Sequence, residues 1–386
     1  MIKKTIIKYL IFLVITVLIF SFIFFGKFSK KEDNKFIFTE INQTTNLYIF
    51  DFPAITLFHN KEKPEFISEN INSIYDKKKF DIKLRSKLLE LLQKPLPSEH
   101  KYNYKFLEEI DKGEYIQKKL LLFPSNLTFS YAYLLIPKNV TFPAPAILAM
   151  HQHGGNYENG KDEVVGNKGN PDLFYGKELA EKGYIVLSID SSLFGDRIDL
   201  GQNSREKEEI REAQNLIALG HSLLGVVVQE DLVSLDFLAN LEIVNKNNIG
   251  CIGHSMGGVR CMYLAALDNR VKATVISNAI AYQNLGYPKA IKQTWFTILP
   301  GITKYSETDA ILSLIAPRPL FVLYSENDPI FPSDEAKNII GKVEKVYAIL
   351  DSDSKFISLY ALNQSHSLPK EYRTKLYSFL DKNLKK

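Results

Sequence analysis

From about residue 128 onward, short apolar runs alternate with longer helix-patterned stretches, and this alternation constrains the fold more than any other feature. "SYAYLLIP" (130–137), "APAILAMH" (144–151), "YIVLSID" (184–190), "IGCIGHS" (249–255), "VKATVISNAI" (271–280), "RPLFVLYSEND" (318–328) and "FISLYAL" (356–362) read as strands. Between them lie helical segments such as "VVVQEDLVSLDFLANLE" and "SDEAKNIIGKVEKVYAIL", and "PKEYRTKLYSFLDKNL" closes the chain as an amphipathic helix. Near-continuous apolar strands alternating with helices predict an α/β fold, a mostly parallel sheet covered on both faces. In such sheets ligands sit beyond the carboxyl ends of the strands, so the residues just after each strand are the ones to inspect.

One of those strand ends carries "GHSMGG", a Gly-x-Ser-x-Gly pattern centred on Ser255. The pattern gains meaning from a strand before it and a helix after it, and both are expected here. Gly253 and Gly257 are required where strand and helix pass too close for a Cβ. A second pattern, "LGHSLLG" around Ser222, has helical texture on both sides and a displaced second glycine. It reads as a small polar residue at a helix junction.

A serine hydroxyl needs an imidazole to take its proton and a carboxylate to orient that imidazole. After Ser255 the sequence holds one histidine, His366, in a loop between the last strand and the last helix. Asp328 stands just beyond an apolar strand and before Pro329; Glu326, two residues nearer the strand, is its competitor. The chain order Ser, Asp, His is the one such a sheet uses. A tetrahedral intermediate also needs preorganised N–H donors. Met256 supplies one and "AMHQHGG" the other, through His153 with Gln152 as the alternative. His151 and His153 also form an i, i+2 pair of metal-ligand type, but no third ligand is evident by spacing. Asp196 and Arg197, in "DSSLFGDR", are read as a structural ion pair or, alternatively, as substrate contacts. Residues 280–316 interrupt the strand–helix rhythm and are expected to form a lid, with Trp295 either in it or in plain packing.

The N-terminal third is different. Residues 1–27 combine a basic start with an uncharged stretch at 9–26, long enough as a helix to span about 27 Å. This predicts a membrane anchor, the alternative being a cleaved signal segment with a poor cleavage site and a secreted product. Lysines flank both sides, so charge does not orient the span; a large domain after one span places the catalytic part outside the cytoplasm. Residues 28–127 are expected to form a tether and an N-terminal helical extension, from texture such as "DIKLRSKLLELLQKPLP", ahead of a catalytic domain at 128–386.

The small net charge of +4, the scattered lysines and the few arginines argue against a nucleic-acid footprint. The two cysteines, Cys251 and Cys261, form no disulfide framework and no zinc pattern, and both read as small core residues.

The motifs "LAMHQHGG", "GKDEVVGN", "YIVLSIDSSLFGDR", "IGCIGHSMGG", "IAPRPLFVLYSENDPIFP" and "NQSHSL" together resemble the α/β-hydrolase superfamily, and within it the dienelactone-hydrolase and acetylxylan-esterase-like branch, over residues 128–386. The resemblance implies an α/β-hydrolase fold. It implies Ser255 as nucleophile, Asp328 as acid, His366 as base, and ester or lactone hydrolysis with neither cofactor nor metal. Dienelactone hydrolases carry Cys where Ser255 stands, which turns the expectation toward esterases. The first oxyanion segment reads His-Gln-His where a central glycine is commoner. The function expected is therefore a serine carboxylesterase acting on a small-molecule or carbohydrate ester, acetylated carbohydrate foremost. A prolyl-oligopeptidase-like peptidase is the rival enzyme, although residues 27–127 are too few and too helical for its propeller. An inactive hydrolase fold used for binding is the rival of a different class.

Overall fold

The structure is a computed structural model that describes residues 63–93, 103–123, 129–197, 204–283 and 292–385. The predicted membrane span and the tether up to residue 62 lie outside the described residues. Among the described residues no single helix is long and apolar enough to cross a membrane.

Among the described residues nine strands form one sheet: β1 (Asn103–Asp111), β2 (Tyr115–Phe123), β3 (Ser130–Pro137), β4 (Ala144–Met150), β5 (Ile185–Ile189), β6 (Val244–His254), β7 (Val271–Ser277), β8 (Leu320–Ser325) and β9 (Phe356–Ala361). Their spatial order is β1-β2-β3-β5-β4-β6-β7-β8-β9. β1, β2, β3 and β5 pair antiparallel in turn, and every pairing from β5 through β4 to β9 is parallel. The expected mostly parallel α/β sheet is present. Because β4 to β9 run the same way, the loops after them all open on one edge.

Side chains alternate across the pleat and fill two cores. On one face Leu148, Leu187, Cys251, Ile276 and Val322 pack with α1 (Ile74–Leu91), α5 (Leu223–Asn240), α6 (Met256–Leu267) and α8 (Ser333–Ile349). On the other Ile147, Val186, Ile252, Val275 and Leu323 pack with α3 (Tyr175–Glu181) and α9 (Lys370–Leu384). The remaining helices are α2 (Lys161–Val164), α4 (Arg205–Ala218) and α7 (Thr308–Ser313). Helix α1 shows how the N-terminal part is held. Ser73 caps it by accepting from the Asp76 N–H at 3.1 Å, and Leu84 and Leu88 are fully buried. Each such leucine stabilises by about 1.5–3 kcal/mol. Arg85 donates to the carbonyls of Ala266 and Leu314, tying α1 to the helices and loops that cover the sheet.

The helical extension expected over 28–127 is corrected in part. Helix α1 is where that texture predicts one, but residues 103–123 form a β-hairpin that lengthens the main sheet. The boundary at residue 128 therefore cuts through a continuous sheet, and the described residues from 63 onward belong to a single compact unit. The hairpin hides from pattern reading because every residue of β1 is exposed, and Lys118 and Lys119 interrupt β2. Its turn is marked by Gly113, at φ +87°.

Candidate active site

Ser255 is the corner between β6 and α6, with φ 56° and ψ −126°. An L-residue rarely adopts this conformation, and holding it costs about 1–3 kcal/mol. The corner is over-determined by its surroundings. The Ser255 N–H donates to Ser277 O at 2.9 Å, and Ser255 O accepts from the N–H groups of Gly258 and Val259. A Cβ on Gly253 would meet backbone atoms of Gly257 at 2.2 Å, and one on Gly257 would meet Met150 O at 2.1 Å. Strand and helix therefore pass in contact, which lifts the Ser255 side chain beyond the sheet edge.

Asp328 and His366 arrive from the loops after β8 and β9. The His366 Nδ1–H donates to Asp328 Oδ2 at 2.7 Å. Asp328 Oδ1 accepts the N–H groups of Ile330 and Phe331, so the carboxylate is fixed by its own loop. With Nδ1 carrying the proton, His366 Nε2 is left with its lone pair. The imidazole packs against the rings of His254 and Phe331, with centroids at 4.7 and 5.8 Å. His254 is wholly buried and shares a 3.0 Å hydrogen bond with Ser277 Oγ. Burial, and then the neighbouring His366, hold its pKa well below the usual range, so it stays neutral beside the other ring. The competing carboxylate, Glu326, accepts the Asn363 N–H at 2.8 Å. It holds the backbone of the histidine loop, as does Asn278 Nδ2, which donates to Ser367 O at 3.0 Å.

Ser255 and His366 line one cavity of about 400 Å³ together with His153, Tyr157, Glu209 and Trp295. No hydrogen bond joins Ser255 Oγ to His366 in this state, among the described residues. Met256 opens α6, so its N–H has no acceptor within the helix. His153 lies on the loop after β4, at the same edge. The Gln152 side chain turns to Glu163, donating to its Oε2 at 3.0 Å.

The histidine pair at 151 and 153 is divided. His151 is buried; its Nδ1 bonds Gln152 O and its Nε2 accepts the Ser191 N–H. His153 Nδ1 accepts the Gly155 N–H at 3.1 Å, which makes Nε2 the protonated nitrogen that donates to Glu209 at 2.8 Å. Both ring nitrogens of each residue are engaged. Among the described residues no group of three or more His, Cys, Asp or Glu side chains is placed to hold a metal.

Ser222 caps α5, its Oγ accepting from Gly225 N at 3.0 Å. Asp196 and Arg197 do not pair with each other. Asp196 bridges Lys161 and Lys119, whereas Arg197 pairs with Glu230 at 2.8 Å. Both cysteines are free and buried. Part of the 280–316 insertion does reach the site: Lys292, Gln293, Thr294 and Trp295 form one wall of the cavity.

Sequence reasoning missed Glu209. This carboxylate is buried at the cavity wall, and four donors from outside its own helix converge on it. Burial opposes its charge, but hydrogen bonds from His153, Thr294 and Tyr157 prevail and hold its pKa down to about 2. Glu209 is one of several glutamates in an acidic helix, and nothing in the local pattern distinguishes it.

The Abhydrolase family profile matches residues 30–379. YtaP of Bacillus subtilis (strain 168), a candidate hydrolase by name, is 31% identical over 267 residues, covering 68% of this chain and 87% of that protein. A solved candidate acetyl xylan esterase from Bacteroides fragilis NCTC 9343 shares the fold with a TM-score of 0.68 at 20% identity, over 83% of this chain and 84% of its own. A glucuronoyl esterase from Solibacter usitatus does so with a TM-score of 0.58 at 15% identity, over 79% of this chain and 93% of its own. With the sheet order, the strained serine corner and the family match in agreement, this chain belongs to the Abhydrolase family and has its α/β-hydrolase fold.

Proposed function

We propose that this protein is a serine carboxylesterase in which Ser255, His366 and Asp328 act as nucleophile, base and orienting acid. The observation that carries the reading is the Asp328–His366 hydrogen bond, which leaves Nε2 with its lone pair on a histidine that lines the same cavity as Ser255. His366 Nε2 takes the hydroxyl proton as Ser255 Oγ attacks the acyl carbon. The oxyanion is held by the N–H groups of Met256 and His153. The ester C–O bond breaks as His366 returns the proton to the leaving alkoxide. A water, deprotonated by the same imidazole, then releases the acid and restores Ser255. His153 itself is no rival base, since both of its ring nitrogens are engaged.

Acetyl esters of carbohydrates are the proposed substrate class. Two considerations support this: a fold neighbour is described as a candidate acetyl xylan esterase, and Trp295, an aromatic residue of the kind sugar rings stack on, lines the cavity. Residues 1–27 are proposed to anchor the catalytic domain outside the cytoplasm, which an N-terminus beginning at Met1 in the mature protein supports and one beginning past residue 26 refutes.

The test is turnover of short-chain aryl esters and of acetylated xylan oligosaccharides by the full-length enzyme and by Ser255→Ala. Release of acetate by the enzyme and its loss in the variant is the expected result. Absence of turnover across acyl lengths, or equal turnover by the variant, contradicts the reading.

A further inference from the structure

Glu209 gathers three segments that are remote in sequence. Its Oε2 accepts His153 Nε2–H at 2.8 Å and the Tyr157 hydroxyl at 2.5 Å. Its Oε1 accepts the Trp295 N–H at 2.8 Å and the Thr294 hydroxyl. One carboxylate thus joins the loop after β4, which carries the proposed oxyanion N–H, to the insertion that walls the cavity. The joint is largely buried although it borders the cavity: Glu209 is 4% exposed, and Phe194 and Phe296 pack their rings against His153. In the loop it holds, Gly154 and Gly155 both sit at positive φ, and the Gly155 N–H donates to a side chain, His153 Nδ1, at 3.1 Å. The His153–Glu209 bond ties down the residue proposed to supply the oxyanion N–H.

We propose that Glu209 is a positioning residue, which fixes the His153 loop and the Thr294–Trp295 wall at the spacing the oxyanion needs. The inference rests on the esterase reading above. It goes beyond that reading because it assigns the transition-state geometry to a carboxylate outside the Ser-His-Asp set. Four hydrogen-bond partners on two oxygens suit the ionised form; in either flip an amide would set its NH₂ against one fixed N–H, that of His153 or that of Trp295, and one hydroxyl. Charge-assisted hydrogen bonds of this kind are short and directional, so they suit a joint better than apolar packing does.

The experiment compares the full-length enzyme with Glu209→Gln, His153→Phe and Ser255→Ala on a short-chain aryl ester. Active sites are counted by fluorophosphonate titration. For Glu209→Gln, kcat per titrated site is expected to fall about tenfold or more, with KM within about threefold, since a small displacement of an oxyanion donor acts on the transition state. A merely structural role would reduce the number of titratable sites and leave kcat per site unchanged. His153→Phe keeps the backbone N–H and the ring volume but cuts the strut; a similar fall in kcat per site is expected, and this variant serves if Glu209→Gln does not fold. A kcat per site within about twofold of wild type in the folded variants overturns the proposal. Ser255→Ala separates the two claims: activity persisting in it refutes the esterase reading itself, whereas its inactivity beside unimpaired strut variants refutes only the role of Glu209.

Discussion

Asp328 holds His366 with one carboxylate oxygen and its own loop with the other: Oδ2 accepts Nδ1–H at 2.7 Å while Oδ1 takes two backbone N–H groups. The imidazole is thereby set in a single tautomer and orientation. Asp328→Asn would offer Nδ1 an amide, and either the tautomer or the ring orientation must change. The expected loss in kcat on an aryl acetate is about 10³- to 10⁴-fold, as for an orienting aspartate in a serine triad. Glu326→Gln should cost less than about tenfold, because the amide oxygen still accepts the Asn363 N–H. A larger loss from the Glu326 change than from the Asp328 change would reverse the two roles.

The strained corner at Ser255, the proposed nucleophile, implies a trade between stability and activity. Ser255 is held at φ 56°, where glycine alone is unstrained. Ser255→Gly should raise the unfolding free energy by about 1 kcal/mol while abolishing turnover. Urea unfolding followed by circular dichroism measures this, and an equal or lower midpoint in the glycine variant would count against the strain.

Glu307 ties pH to stability. Its carboxyl accepts the Gln283 N–H at 2.8 Å, yet burial pushes its pKa up from 4.5 to about 7. The folded state therefore binds this proton more tightly than the unfolded state. The resulting stability is fully present below about pH 4.5 and is lost as pH rises through about 7. The change is about 1–3 kcal/mol, since each pKa unit corresponds to about 1.4 kcal/mol and the side chain is only partly buried. Glu307→Gln keeps an acceptor for Gln283 and should stabilise the protein at pH 8 but not at pH 4.5. An unaltered difference in Tm between the two pH values would contradict this.

These effects differ in how visible they are in the sequence. The parallel half of the sheet is legible because β5 and its neighbours are buried on both faces and read as unbroken apolar runs. Asp328 and His366 are legible because each follows such a run and stands in a loop. The β1–β2 hairpin is not: β1 buries none of its residues, so no apolar period marks it. Glu209 is not either. Its burial depends on where the loop after β4 and residues 294 and 295 come to rest, which the acidic helix around it does not encode. Asp196 and Arg197 are adjacent and opposite in charge, yet each turns to a partner from another segment.

The central claim is that Ser255 forms the covalent intermediate. Full-length enzyme treated with a fluorophosphonate, digested and mapped by mass spectrometry tests it most directly. The account predicts one adduct, on Ser255, with esterase activity lost in proportion to its occupancy. An adduct confined to another residue, or activity that survives complete modification of Ser255, would contradict it.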